Sequence, residues 1–459
     1  MASQFRPGTK SALSLADIDQ RRLHYAGDNT NRMRHLALAK GDVTEALLSF
    51  DCIKKTPHIF NTTIPIEGAP ITAQKSSGRC WIFAATNVLR LPIMKNYNLD
   101  RFELSQQYLF YFDKLEKANY FLEHIIDTAD REIDDRLVQR LLLAPMSDGG
   151  QWDMLYNLVK KYGIVPQVLY PDTWNAENSR HMRVILQTKL REYAVTLRAL
   201  TRSGDAEAVS LKKDEQMEHI QHILTTLLGV PPELDEEFVW EYTNKEKQVF
   251  ELRSTPIDFA KAVTEADSEY DMNSMVSLVH DPRSKLYTLL TVERLGNIIG
   301  GRNVTYINVE MTVLRTACVD MIKAGLPVFF GCDFGKFRHR NKGILDLSVF
   351  DYQIGLGTTL LAQSKADRLR SGESKMTHAM ILTGVHLDLD TGKPIRWRVQ
   401  NSHGPESGDK GYLVMTDDWM SEFMYQAVVN KKFLCGNVRD ILLEEPVVLP
   451  LWDPMGALA

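Results

Sequence analysis

Cys80 and Gln74 lie within one short segment, Gln74-Lys75-Ser76-Ser77-Gly78-Arg79-Cys80-Trp81-Ile82-Phe83-Ala84. The apolar run beginning at Cys80 predicts a helix with the cysteine in its first turn. There the unpaired backbone N–H groups carry partial positive charge and favour thiolate over thiol. Gln74 would add a side-chain amide donor to the backbone N–H of Cys80, so that both face the oxyanion formed when the thiolate attacks a carbonyl. A buried structural cysteine beside a helix start gives the same local pattern, because free cysteine is among the most buried residue types. Partners elsewhere in the chain must decide between the two.

Two such partners lie far downstream, where the chain reads as strands. His378 stands near the start of Met376-Thr377-His378-Ala379-Met380-Ile381-Leu382-Thr383-Gly384-Val385, an apolar run ended by glycine that predicts a buried strand. Asn401 closes the next one, Ile395-Arg396-Trp397-Arg398-Val399-Gln400-Asn401. A Cys, a His and an Asn in that order, the last two on adjacent strands, supply the nucleophile, proton carrier and orienting amide of a thiol hydrolase. His378 would hold the proton as imidazolium and pass it to the leaving amine, while Asn401 fixes the ring. His403, in Ser402-His403-Gly404, is a rival base by residue type. It lies in a glycine-bounded loop, whereas His378 opens a buried strand.

The elements that position these groups fall into two halves. Residues 14–57 carry helical signals, with Ser14 and Asp17 as candidate starts and an apolar cluster of Leu47, Leu48 and Phe50. Residues 104–144 predict long amphipathic helices, carrying Tyr108-Leu109-Phe110-Tyr111-Phe112, Leu115, Leu137, Leu141 and Leu142. The thiol thus sits on a helix-rich half and the base on a strand-rich half, which places the site between two lobes of an α+β protein.

Taken together, these segments resemble the papain-like cysteine peptidases, and within them the bleomycin hydrolase and aminopeptidase C branch. The resemblance is carried by Gln74 to Ala84, Glu103-Leu104-Ser105-Gln106-Gln107, Asp148-Gly149-Gly150-Gln151-Trp152-Asp153, Lys161-Tyr162-Gly163-Ile164-Val165-Pro166, Gly331-Cys332-Asp333-Phe334-Gly335-Lys336, Met376 to Met380, Lys410-Gly411-Tyr412 and the ending Trp452 to Ala459. It runs from about residue 40 to the last residue. It implies a two-lobe fold, a helical lobe plus an antiparallel β-barrel-like lobe, with large helical insertions. It also implies that Gly149 and Gly150 form the backbone edge that binds extended substrate, where peptide main chain approaches without a Cβ in the way. One departure is plain: the family usually follows the triad asparagine with Ser-Trp-Gly, and His403 stands here at the tryptophan position.

About 300 positions separate Cys80 from His378, more than twice what a minimal domain of this family needs. The expected organisation is therefore an N-terminal helical extension (1–59), the helical lobe with the nucleophile (60–180), an inserted helical and oligomerisation region (181–300), the β-rich lobe with His378 and Asn401 (301–445) and a C-terminal arm (446–459). Within the insertion, Leu211 to Glu218 lead into Ile220, Ile223, Leu224, Leu227 and Leu228, a helix with one wet face. The arm has three prolines and no helical period, and is expected to run extended. The resemblance implies that it lies in the cleft, that the Ala459 carboxylate receives the substrate's α-ammonium group, and that six copies assemble as a barrel. The implied activity is removal of N-terminal residues from peptides with a free N-terminus, extending to the bleomycin amide and reactive thiolactones.

Composition narrows the setting. The five cysteines, Cys52, Cys80, Cys318, Cys332 and Cys435, are odd in number and scattered, which predicts reduced thiols and a cytosolic location. Cys332, at the end of an apolar run, is expected in a core strand. No apolar stretch approaches the roughly 18 residues of a membrane span, and a secretory signal core is missing. Met1 to Ala16, with Arg6, Lys10 and no acid, fits a mitochondrial transit peptide less well than a disordered or helical start. No cofactor is expected. His219 and His222 have a metal-compatible spacing but no third ligand nearby, so surface histidines are the expectation. The alternative reading is a nucleic-acid-binding or regulatory assembly with secondary or lost peptidase activity. A net charge of −5 opposes it, and only Lys336-Phe337-Arg338-His339-Arg340 offers a local basic lining.

Overall fold

The computed structural model describes residues 12–265 and 270–458. The centre of the helical lobe is the helix Cys80–Asn96, of which Cys80 through Met94 are all buried. A helix apolar on every face belongs in a core rather than on a surface. Against it packs Gln106–Asp127, whose first turn is capped by Ser105: its Oγ accepts the Tyr108 backbone N–H at 3.1 Å. Tyr108, Leu109, Phe110 and Phe112 from this helix join the core, as does the helix Trp152–Tyr162.

The main helical insertion is a hairpin of Arg180–Ser203 and Ala206–Leu228, joined through Gly204 in the left-handed conformation that glycine adopts at low cost. Leu186, Leu190 and Leu197 on one helix and Ile220, Leu224 and Leu228 on the other are buried. The insertion also carries an antiparallel hairpin of Phe238–Thr243 and Val249–Ser254. At the N-terminus Ser14 caps Leu15–Gly27, with Asp17 in its first turn rather than at its start. That helix and Asn29–Leu38 bury no residue. Phe50 departs from the expected cluster: it is 78% exposed on a short helix, whereas Leu47 enters a second small core with Cys52, Val349, Phe350 and Val414.

The other lobe is built on a twelve-stranded, mostly antiparallel sheet. Its central strands are Met275–Val279, Met424–Asn430, Val328–Cys332, His378–Leu387, Pro394–Gln400 and Tyr412–Thr416, each hydrogen-bonded to the next. Met275–Val279 and Thr288–Val292 belong to this sheet, so the β lobe begins before residue 300, the end drawn from sequence for the insertion. These runs are five residues each and short apolar runs do not reveal by periodicity which lobe they join.

The arm is extended only in part. Val447–Leu449 adds to the sheet edge parallel to Thr288–Val292, and Pro454–Gly456 then forms a tight turn that buries Met455. Asp453 holds this turn, accepting the Met455 backbone N–H and pairing with Arg283 at 2.8 Å. No helix among the described residues is long and apolar enough to cross a membrane.

Candidate active site

Cys80 is the first residue of its helix and is 3% exposed, at the junction of the two lobes. The backbone N–H groups of Ala379, Trp81 and Cys80 itself lie close enough to the thiol to favour its ionised form. Ala379 directly follows His378, so the sheet presents the histidine beside the thiol. His378 opens its strand and is buried, and its Nε2 lies 2.8 Å from Asn401 Oδ1. Asn401 Oδ1 also accepts the Ser402 backbone N–H at 2.9 Å, which fixes the orientation of the amide. Nε2 must then donate, leaving Nδ1 as the proton acceptor for the thiol. His403 makes no such contact with Asn401; its ring centroid is 5.0 Å from that of His378.

Gln74 is buried and held from both ends. Ser402 Oγ donates to Gln74 Oε1 at 2.7 Å, and Gln74 Nε2 donates to the Ser77 carbonyl at 2.7 Å. An amide NH2 has two hydrogens, so one remains for an oxyanion at the thiol. Ser402 thus links the triad asparagine to the oxyanion donor, a role with no signal in sequence because the two segments are far apart in the chain.

Phe334 stacks on the His378 imidazole, with centroids 4.6 Å apart and planes 24° from parallel, and contacts His403 edge-on at 5.7 Å. Phe334 and His403 thus both pack against the His378 imidazole and shield it from water. The shielding has an electrostatic consequence. Burial pushes the Cys80 thiol up to about 11, against the pull of its three N–H partners. Burial, reinforced by His403 and Arg338 and opposed by Asn401, brings His378 down to about 3. Burial of both groups thus works against the thiolate that the helix position favours. Charge separation accompanies transfer of the thiol proton to Nδ1, so the two groups titrate as a pair.

A pH dependence follows. Protonation of His378 while Cys80 is neutral gives an inactive form, and His403, itself brought down to about 4 chiefly by burial, opposes that protonation once charged. Replacing His403 with tryptophan removes this repulsion and raises the His378 pKa. The acid limb of kcat/KM should then move to higher pH in His403→Trp, which a pH–rate profile on an uncharged substrate measures. An acid limb that stays in place or moves lower contradicts this assignment.

Gly149 and Gly150 form the edge next to the nucleophile helix. A Cβ on Gly150 would stand 2.5 Å from the Trp81 indole, so only glycine lies flat on that ring. Trp81 Nε1 donates to the Asp148 carbonyl at 2.7 Å, and Lys117 Nζ donates to the Gly149 carbonyl at 2.7 Å. The next residue, Gln151, is fully buried and its Nε2 donates to the Ala457 carbonyl at 2.8 Å. The arm thereby reaches this edge, and Ala457 and Leu458 line a cavity of about 850 Å³ with Ser147, Met376 and Thr377. Ala459 lies outside the described residues.

The other candidates are structural. Cys332 is fully buried in its strand, directly opposite His378. His219 is bonded through Nδ1 to Tyr193 Oη at 2.7 Å, and no cluster of three or more metal-ligating side chains occurs among the described residues.

The chain matches the Peptidase C1-like family over residues 12–456. It is 44% identical to bleomycin hydrolase of Gallus gallus over 91% of this chain and 92% of that protein. It is 41% identical to the mitochondrial cysteine proteinase 1 of Saccharomyces cerevisiae, over 98% and 93% of the two chains. The crystal structure of PepW from Lactobacillus rhamnosis superposes with a TM-score of 0.93 at 37% identity, covering 98% of this chain and all of that one. With a buried thiol at a helix start, a histidine from the facing sheet and its orienting asparagine, the chain belongs to the bleomycin hydrolase branch of the Peptidase C1-like family and is a cysteine peptidase.

Proposed function

We propose that this peptidase is a cytosolic cysteine aminopeptidase. Cys80 attacks the carbonyl of the first residue, Gln74 and the Cys80 N–H hold the oxyanion, and His378 protonates the leaving amine. Water then hydrolyses the thioester. The observation that carries the exopeptidase reading is the arm bound at the Gly149–Gly150 edge through Gln151 and Ala457, where a longer substrate would have to lie. The Ala459 carboxylate, one residue beyond the described arm, receives the α-ammonium group of the substrate. A desolvated pair of this kind is worth about 2–5 kcal/mol, enough to select free N-termini. The same chemistry extends to the amide of bleomycin and to thiolactones. The N-terminal helices, with Leu15, Leu23, Met33 and Leu36 all more than 60% exposed, support assembly into a homohexamer.

The test uses paired fluorogenic aminoacyl amides, one with a free α-amine and one acetylated. The full chain should cleave only the free amine, and a chain lacking Leu458 and Ala459 should accept both, with Cys80→Ala as the blank. Equal cleavage of both by the full chain removes the aminopeptidase reading while leaving the peptidase in place.

A further inference from the structure

Beside His378, and absent from the cavity that the arm lines, stands an arginine stacked through Phe334. Arg338 lies over the Phe334 ring, its guanidinium carbon 4.0 Å from the centroid, and Phe334 in turn stacks on His378. Arg338 is half-buried, and burial, with Arg340 nearby, holds its pKa below the ordinary guanidinium value. Among the described residues no carboxylate forms an ion pair with it. Arg340 is exposed two residues on, and both cations act on His403, the loop residue beside the catalytic imidazole. Glu406, two residues beyond Gly404, is exposed and forms no ion pair with Arg338. Lys336 and His339 are turned to other uses: Lys336 pairs with Glu373 at 2.5 Å, and His339 is buried facing Glu45. The basic segment is therefore not a continuous strip for a polyanion. It offers a single guanidinium at the active site, with a second behind it.

On the aminopeptidase reading the substrate's N-terminal residue lies at the arm, and the leaving part of the peptide then has His378, Phe334, His403 and Arg338 ahead of it. We propose that Arg338 is a specificity-determining residue that selects peptides carrying a carboxylate on the first residue after the scissile bond. The inference rests on the aminopeptidase reading above and adds a substrate class to it. Guanidinium recognises carboxylate with paired N–H donors, and its stacking on Phe334 pre-orders the side chain, so little freedom is lost on binding. A carboxylate at this position comes from an acidic side chain or from the free terminus of a dipeptide, and both sources present the same group.

Four substrates separate them: Ala-Glu-amide and Ala-Gln-amide differ in side-chain charge, Ala-Gln with a free carboxylate differs from its amide in terminal charge, and Ala-Lys-amide reverses the sign. In the native chain kcat/KM should be about tenfold higher for either carboxylate-bearing peptide than for Ala-Gln-amide, and lowest for Ala-Lys-amide. The ratio should shrink as salt is raised. In Arg338→Gln it should fall to near one, and in Arg338→Glu it should invert in favour of lysine. Because Arg338 packs on Phe334, Arg338→Lys serves as the packing control: it loses the planar stack but retains part of the preference. Preference for only one carboxylate source narrows the class to that source. Equal cleavage of all four by the native chain, or a preference that survives in Arg338→Gln, overturns the proposal. Failure to cleave any of them, in a preparation whose Cys80 is alkylated by iodoacetamide, overturns the aminopeptidase reading and the inference with it.

Discussion

Cys80→Ala should lower kcat/KM by about 10⁴-fold or more, to the level of the uncatalysed reaction plus what binding alone provides. The substitution removes one sulfur at the head of a helix whose remaining contacts are made by Trp81, Ile82 and the residues behind them. Its cost in stability should be about 1 kcal/mol, the size of a small buried truncation. Cys80→Ser should be nearly as inactive. A hydroxyl starts far above a thiol and is raised further by the same burial, so its proton transfer to His378 is much less favourable. Hydrolysis of a free-amine fluorogenic amide, measured beside thermal unfolding, checks both variants. Retention of more than about one per cent of activity by a folded Cys80→Ala chain would sink the assignment of the nucleophile.

Asp148→Ala should produce the largest loss of stability among changes near the site. The Asp148 carboxylate is 2% exposed, accepts Ser179 Oγ at 2.7 Å and stands 3.0 Å from the fully buried Lys114 ammonium. Arg183 approaches its other oxygen at 3.4 Å. Removing this carboxylate leaves the buried Lys114 ammonium with only the Asp113 carboxylate at 3.6 Å and the Ser147 carbonyl, at a cost of about 3 kcal/mol. The site should suffer as well, because the Asp148 carbonyl anchors Trp81 and the next two residues are Gly149 and Gly150. A displaced substrate edge should reduce kcat/KM by about 10–100-fold. The pH dependence gives a second signature. Despite its burial, the Lys114 and Arg183 charges and the Ser179 hydroxyl hold the Asp148 carboxyl well below the usual carboxylate range. Its contribution is thus fully present above the unfolded carboxylate pKa of about 4 and is lost as pH falls toward the folded value. Native stability should drop more steeply below about pH 4 than that of the variant. Denaturant unfolding across that range measures the difference, and parallel curves would show that the network is not coupled as the geometry indicates.

Much of the site was legible in the chain because each triad residue sits in a local pattern with its own physical cause. An apolar run starting at Cys80 makes a helix whose first turn must contain the thiol. A glycine-ended apolar run opening at His378 makes a strand that begins there, and Asn401 follows the neighbouring strand, so backbone pairing brings them together. The Gly149–Gly150 edge likewise reflects a local need, the absence of a Cβ against Trp81. What tertiary structure alone decided was everything that depends on two distant segments meeting in a place without water. Ser402 reaches Gln74 across the two lobes, Phe334 covers His378 within the β lobe, Gln151 holds Ala457 of the arm, and Asp148 meets Lys114 within the helical lobe. The protonation of the pair belongs to the same class. A helix end favours thiolate by a local field legible from position, whereas the desolvation that opposes it comes from burial between the lobes.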